Sequence, residues 1–131
     1  MIPVAELDRI AQARLEDARR LVLAGRYDGA TYLCGYAVEV ALKARICRTL
    51  NWPEFPSTSG EFQAYRSFQT HDLEVLLHLS GKEIEVKQQD TVKWNLVADW
   101  HPEWRYNVIG TATREKATAM IIAAAKLLRI L

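Results

Sequence analysis

Several features that mark specialised classes of protein are absent from this sequence of 131 residues. The formal net charge is only +1, so no overall positive field would draw the chain to nucleic acid irrespective of base sequence. No apolar run approaches the ~18 residues that a membrane span needs, and the first residues lack the apolar stretch of a signal peptide. We therefore expect a cytoplasmic protein that does not associate with membranes.

Cysteine and metal-binding patterns are also scarce. The two cysteines, Cys34 and Cys47, fall in one predicted helix, roughly 20 Å apart, which is too far for a disulfide. The histidines at His71, His78 and His101 lack metal-ligand spacing. There is no HExxH motif, no glycine-rich phosphate loop and no serine elbow. We expect no disulfide, no metal site and no cofactor.

What the chain does contain is an ordinary globular composition with apolar residues at helical spacing. Hydrophobic residues make up 50% of the sequence and charged residues 25%, which suits a domain with its own core. No repeat or linker divides residues 1–131, so they are predicted to form a single domain. The predicted fold class is all-α, an antiparallel up-and-down bundle of four to five helices. The predicted helices cover approximately residues 4–24, 28–50, 70–81, 83–99 and 113–131.

The ends and faces of these helices follow from individual residues. Asp28 is predicted to cap the second helix and Thr70 the third, because short polar side chains bond to the free amides of a first turn. In the fourth helix, Val92, Leu96 and Trp100 are predicted to lie on one apolar face. The alternation over residues 83–87 would also suit a strand, but no other segment could pair with it.

One carboxylate interrupts the apolar residues 32–42 of the second helix. Glu39 is costly to bury unless it is paired. It could pair with Lys43 one turn later, or it could face a cleft or a second subunit. Gly35 lies one turn before it, and a helical glycine costs ~1 kcal/mol relative to alanine. Its presence indicates that another helix or a ligand approaches closely.

The residues at 100–107 combine aromatic rings with one arginine and one amide, Asn107. Arg105 could hold a phosphate with two hydrogen bonds, and Trp104 and Tyr106 could stack on a base. Alternatively, the rings plug the end of the bundle and Arg105 pairs with a carboxylate.

Three segments, taken in order, resemble the HEPN family. They are GRYDGATYLCGYAVEVALKA at residues 25–44, THDL at 70–73 and WRY at 104–106. The resemblance implies a helical bundle that is commonly dimeric, with its functional groove at the dimer interface. It also implies RNA cleavage or nucleotide binding, or work beside a small nucleotidyltransferase encoded nearby.

The catalytic pattern of the family is incomplete in this sequence. HEPN nucleases carry an arginine and then a histidine after four to six intervening residues. Arg105 matches the arginine, but positions 110–112 hold glycine, threonine and alanine, none of which is a general acid or base. His71 or His101 could replace the histidine spatially. Glu39 matches the acidic position of the family's second helix.

These patterns lead to one main hypothesis and two alternatives. The main hypothesis is a non-catalytic HEPN-like homodimer that binds a nucleotide or RNA phosphate. The resemblance further implies a nucleotidyltransferase-type partner in a toxin–antitoxin-like pair. One alternative is a metal-independent endoribonuclease toxin with a rearranged site; the other is a purely structural dimerisation module. The catalytic candidates are Arg105, Glu39 and His71. The candidate ligand-binding residues are Arg105, Tyr106, Asn107, Trp104, Glu39 and Lys43.

Overall fold

The first two helices form a hairpin in the computed structural model, which describes residues 1–131. Helix α1 spans Val4–Leu23 and helix α2 spans Tyr27–Leu50. Gly25 lies in the turn between them with φ +73°, a conformation that favours glycine. Helix α1 buries one face only, whereas α2 is buried on most sides and packs against α1, α3 and α5. Helix α2 therefore lies at the centre of the bundle.

Three further helices complete the bundle. They are α3 at Leu73–Ser80, α4 at Glu83–Ala98 and α5 at Arg114–Ile130. Helix α5 packs against α2, α4 and α1 through small and branched residues at spacings of three and four. The predicted all-α bundle is confirmed, and residues 83–87 are helical rather than a strand.

A short antiparallel pair of strands, which was not predicted, fastens the start of the chain to the segment after α2. Strand β1 is Ile2–Pro3 and strand β2 is Glu54–Phe55. The Val4 amide adds a 3.2 Å hydrogen bond to the Pro53 carbonyl. Short 3₁₀ helices occupy Glu61–Ala64, Arg66–Phe68 and Pro102–Tyr106.

The predicted caps of α2 and α3 are wrong. Asp28 lies inside the first turn of α2, and its carboxylate accepts hydrogen bonds from the Gly110 amide at 2.7 Å and the Ala112 amide at 2.8 Å. Asp72 caps α3 by accepting from the amides two and three residues later, while the Thr70 hydroxyl accepts from the Asp72 amide. Asp28 and Thr70 therefore form hydrogen bonds that their positions in the sequence did not predict.

Helix α4 is interrupted at Asp90, which has the non-helical angles φ −164° and ψ 86°. Of the predicted apolar face, Val92 and Leu96 are exposed and only Trp100 is buried. The residues of α4 that are buried are Val86, Trp94 and Val97.

The two cysteines are buried and unbonded to each other. Burial raises the pKa of Cys34 to about 12 and that of Cys47 to about 11, so both remain thiols at neutral pH.

None of the helices combines the length and the apolar character needed to cross a membrane.

Candidate functional site

Glu39 sits at the centre of a three-residue polar cluster. Its side chain is only 3% exposed, and its two oxygens have different partners. Lys43 Nζ lies 2.9 Å from Oε2, and His71 Nδ1 lies 2.9 Å from Oε1. The predicted pairing with Lys43 is confirmed. The contact with His71 was not predicted, because the two residues are 32 positions apart and no local spacing connects them.

A cavity of about 260 Å³ lies beside this cluster. Lys43 and His71 line it, and Lys43 Nζ is 5.6 Å from the centre of the Phe55 ring. The other polar residues in its wall are Ser57, Gln69 and Thr70, and the apolar ones include Leu7, Phe55 and Phe62. The cavity therefore has an ionic end and an aromatic wall.

Gly35 allows an indole ring to rest on the backbone of α2. A Cβ atom at this position would lie 2.0 Å from Trp100 Cγ. Trp100 Nε1 also donates a 3.0 Å hydrogen bond to the Tyr32 carbonyl. The predicted close approach at Gly35 is confirmed, and the approaching group is Trp100 from the segment after α4.

Arg105 projects from the 3₁₀ helix Pro102–Tyr106 without a carboxylate partner. Its guanidinium carbon lies 4.8 Å from the centre of the Tyr106 ring, and Nη1 donates a 3.4 Å hydrogen bond to the Pro102 carbonyl. The neighbouring hydroxyls of Tyr106 and then Tyr32 raise the pKa of Arg105 above its ordinary value. The side chain is exposed, so its positive charge is accessible to an anion.

A second cavity, of about 230 Å³, lies at this end of the molecule. Trp104 and Asn107 line it, together with Lys116 from the first turns of α5. Its remaining polar wall consists of Asp28, Thr31, Asn95, Asp99 and Thr111. Arg105 and Tyr106 stand beside Trp104 in sequence but do not line this cavity.

The structure does not bring Glu39 and Arg105 into contact within one protomer. Arg105 lies near Tyr32, which is seven residues before Glu39 on the same face of α2 and therefore about 10 Å from it along the axis. Trp100 occupies the face between them. Among the predicted site residues, Glu39, Lys43 and His71 form one group, and Trp104, Arg105, Tyr106 and Asn107 form another.

Comparison with known families adds one finding. Residues 4–60 match the model of the HEPN domain family. Neither a curated protein nor a solved structure matches the chain significantly. The HEPN match covers the α1–α2 hairpin and the segment through β2, so it includes Glu39 and Lys43. His71 and Arg105 lie outside the matched residues.

The structure places positions 110–112 in a turn that is held by α2. The amides of Gly110 and Ala112 both donate to the Asp28 carboxylate, and these bonds lower the pKa of Asp28. The backbone of this segment thus has a fixed structural role, and its side chains supply no proton-transfer group.

Proposed function

We propose that this chain is a HEPN-like module that binds the phosphate of a nucleotide or RNA without cleaving it, and that it acts as a homodimer. The observation that carries the proposal is the guanidinium of Arg105, which is exposed, unpaired with any carboxylate and stacked on Tyr106. Arginine binds phosphate with two parallel hydrogen bonds, and an uncompensated guanidinium is free to do so.

The residues around Arg105 are of the types that bind the base and sugar of a nucleotide. Trp104 and Tyr106 supply aromatic faces on which a base can stack. Asn107 supplies donors and acceptors at the adjacent cavity, and Lys116 adds a second positive charge there. Glu39 and Lys43 bond to each other at the other cavity, so we do not place them in contact with this phosphate.

Dimerisation is supported by the apolar loop that follows Arg105. Val108 is 81% exposed and Ile109 is 95% exposed, although both are large apolar side chains. A second copy of the chain would cover them and would bring two Arg105 side chains toward one groove. The HEPN match and the resemblance of the sequence further suggest a nucleotidyltransferase-type partner, as in a toxin–antitoxin-like pair.

Binding of ATP, AMP and a short single-stranded RNA at low salt tests this proposal, with tryptophan fluorescence or calorimetry as the readout. We expect Arg105→Ala to weaken binding at least tenfold, because it removes the only unpaired guanidinium beside the rings. The matched control is Arg129→Ala. Arg129 is exposed, lies at the C-terminal end of α5 and forms no ion pair. Absence of binding by the wild type, or equal binding by Arg105→Ala, would contradict the proposal.

A metal-independent endoribonuclease is a second candidate, favoured by the contact between Glu39 and His71. A buried carboxylate that holds Nδ1 of an imidazole leaves Nε2 available for proton transfer. RNA incubated with the protein in EDTA distinguishes the two functions. Cleavage that His71→Gln abolishes and His101→Gln preserves would replace the binding proposal, whereas intact RNA with every variant leaves it in place.

A further inference from the structure

We propose that the cavity beside Glu39, Lys43 and His71 is a second ligand site, separate from Arg105, which takes a small organic anion with an apolar or aromatic body. His71 Nε2 and Lys43 Nζ contact the anionic group, and the apolar body lies against Phe55 and Phe62. Glu39 is a positioning residue, because it fixes the imidazole and does not touch the ligand.

The hydrogen bonds of the cluster determine which nitrogen of His71 meets a ligand. A carboxylate only accepts hydrogen bonds, so His71 Nδ1 carries the proton that is donated to Glu39 Oε1. The remaining nitrogen, Nε2, is the one left for a ligand. The imidazole is well placed for exchange with solvent, because the side chain of His71 is 62% exposed while that of Glu39 is 3% exposed.

The charges of the cluster favour an anion once His71 is protonated. Lys43 and the Glu39 carboxylate sum to zero, so an added proton on Nε2 gives the cluster a net charge of +1. The protonated ring would then donate two hydrogen bonds, one from Nδ1 to Glu39 and one from Nε2 to the anion. Binding of an anion at Nε2 should consequently favour the protonated imidazole, because the anion stabilises its positive charge.

Other ionisable groups near the cavity are already engaged. Glu61 accepts from the Met1 amine and is bonded to Ser57 and Thr58. The Asp72 carboxylate accepts from backbone amides of α3. The Tyr36 hydroxyl lies near Glu39, and burial, followed by the Glu39 charge, raises the pKa of Tyr36, so it stays neutral. His71 is therefore the polar group of this cluster that keeps a free nitrogen, Nε2, for a ligand.

The lining of the cavity indicates the kind of molecule attached to the anionic group. Phe55 and Phe62 present ring surfaces, with ring centres 5.9 Å apart in an edge-to-face arrangement. Gln69 and Thr70 supply further hydrogen-bond donors in the wall. A volume of about 260 Å³ accommodates a small molecule but no folded partner.

Titration of the full chain with phenyl phosphate, benzoate and benzyl alcohol tests the inference. Imidazole NMR signals report on His71, and calorimetry in buffers of different ionisation enthalpy reports on proton uptake. We expect one or both anions to shift the His71 signals toward the protonated form, with uptake of up to one proton at pH 7.5. Benzyl alcohol, which lacks the charge, should bind at least fivefold more weakly.

Variants separate this site from a purely structural cluster. His71→Gln keeps a donor for Glu39, so it should fold normally, yet it should lose the proton uptake and weaken anion binding at least fivefold. His78→Gln is the matched control. His78, like His71, has its Nδ1 close to a carboxylate, 3.2 Å from that of Glu83, but His78 does not line this cavity. Arg105→Ala should leave the response of the His71 NMR signals to benzoate unchanged, so a failure here is distinguishable from failure of the Arg105 proposal.

The inference is overturned if neither anion binds at millimolar concentration, or if benzyl alcohol binds as tightly as the anions. It is also overturned if His71→Gln takes up protons and binds as the wild type does.

Discussion

At the scale of single residues, the contact between Gly35 and Trp100 sets the tightest steric constraint on α2. A methyl group at Gly35 would lie 2.0 Å from Trp100 Cγ and 2.1 Å from Cδ1, well inside van der Waals contact. We therefore expect Gly35→Ala to lower the free energy of unfolding by about 3 kcal/mol, since the overlap exceeds the helical gain from alanine. Urea denaturation followed by tryptophan fluorescence would measure the change.

Gly60→Ala is the matched control for Gly35→Ala. Gly60 has φ −65° and no neighbouring atom within 4 Å of an added Cβ. This substitution should leave the stability unchanged or slightly increased, because alanine restricts the unfolded chain. Equal stability of the two variants would show that Trp100 does not rest on Gly35.

The hydrogen-bond partners of the polar residues could be predicted from the sequence only in part. The pairing of Glu39 with Lys43 was predictable, because both residues lie on one helix at a spacing of four. The contact with His71 was not, since it depends on how the segment before α3 folds back onto α2. For the same reason, the bonds from Asp28 to the Gly110 and Ala112 amides could not be read from spacing.

At the scale of the elements, Asp90 acts as an internal cap within α4. Its carboxylate accepts from the Lys93 amide at 3.0 Å and contacts the ammonium groups of Lys93 at 3.1 Å and Lys126 at 3.2 Å. These interactions, with the Lys93 amide first, lower the pKa of Asp90 to about 2. Asp90 thereby restarts the helix after the kink and ties α4 to α5.

We expect Asp90→Ala to lower the Tm by roughly 2–5 °C, because it removes the cap of the second half of α4. Thermal unfolding followed by circular dichroism would measure this. Asp17→Ala is a suitable comparison, since the Asp17 carboxylate is exposed and pairs only with Arg14. If both variants melt at the same temperature, Asp90 is not a cap of energetic importance.

The helices themselves were predictable within a residue or two of most ends, because apolar periodicity and the glycines at 25 and 81 mark them. The apolar face of α4 was not, because Trp94 and Val97 make the buried contact and leave Val92 and Leu96 on the exposed side. The two short strands were missed because each has only two residues, and their pairing joins segments more than fifty residues apart.

At the scale of the whole molecule, the exposed loop after Arg105 predicts the assembly state. If Val108 and Ile109 form the centre of a homodimer interface, Ile109→Asp should raise the dimer dissociation constant at least tenfold, because an aspartate would be buried without a partner. Sedimentation equilibrium over a range of concentrations would measure this. Ile84→Asp is the control, since Ile84 is also exposed but lies in the first turn of α4. A monomeric wild type, or equal weakening by both substitutions, would contradict the dimer proposal.

Asp28 and Asp90, which connect separate elements, contribute to the response of the whole fold to acid. Hydrogen bonds from the Gly110 and Ala112 amides lower the pKa of Asp28, and the pKa of Asp90 is about 2. A carboxyl group whose pKa is lower in the folded state than in the unfolded state stabilises the fold fully above the unfolded value, near 3.8. This stabilisation disappears as the pH falls through the folded values.

We therefore expect wild-type stability to decline below about pH 4, and the decline to be smaller in the double variant Asp28→Asn/Asp90→Asn, which lacks both titrating groups. The difference in stability between the two proteins should be largest near neutral pH and should shrink toward pH 2. Urea denaturation at pH 7, 4, 3 and 2 would follow this difference, with Asp17→Asn as the control for a changed surface charge. A difference that stays constant across this range would show that neither carboxylate couples the fold to protons, and the tie between α2 and the turn at 110–112 would then have to act through geometry alone.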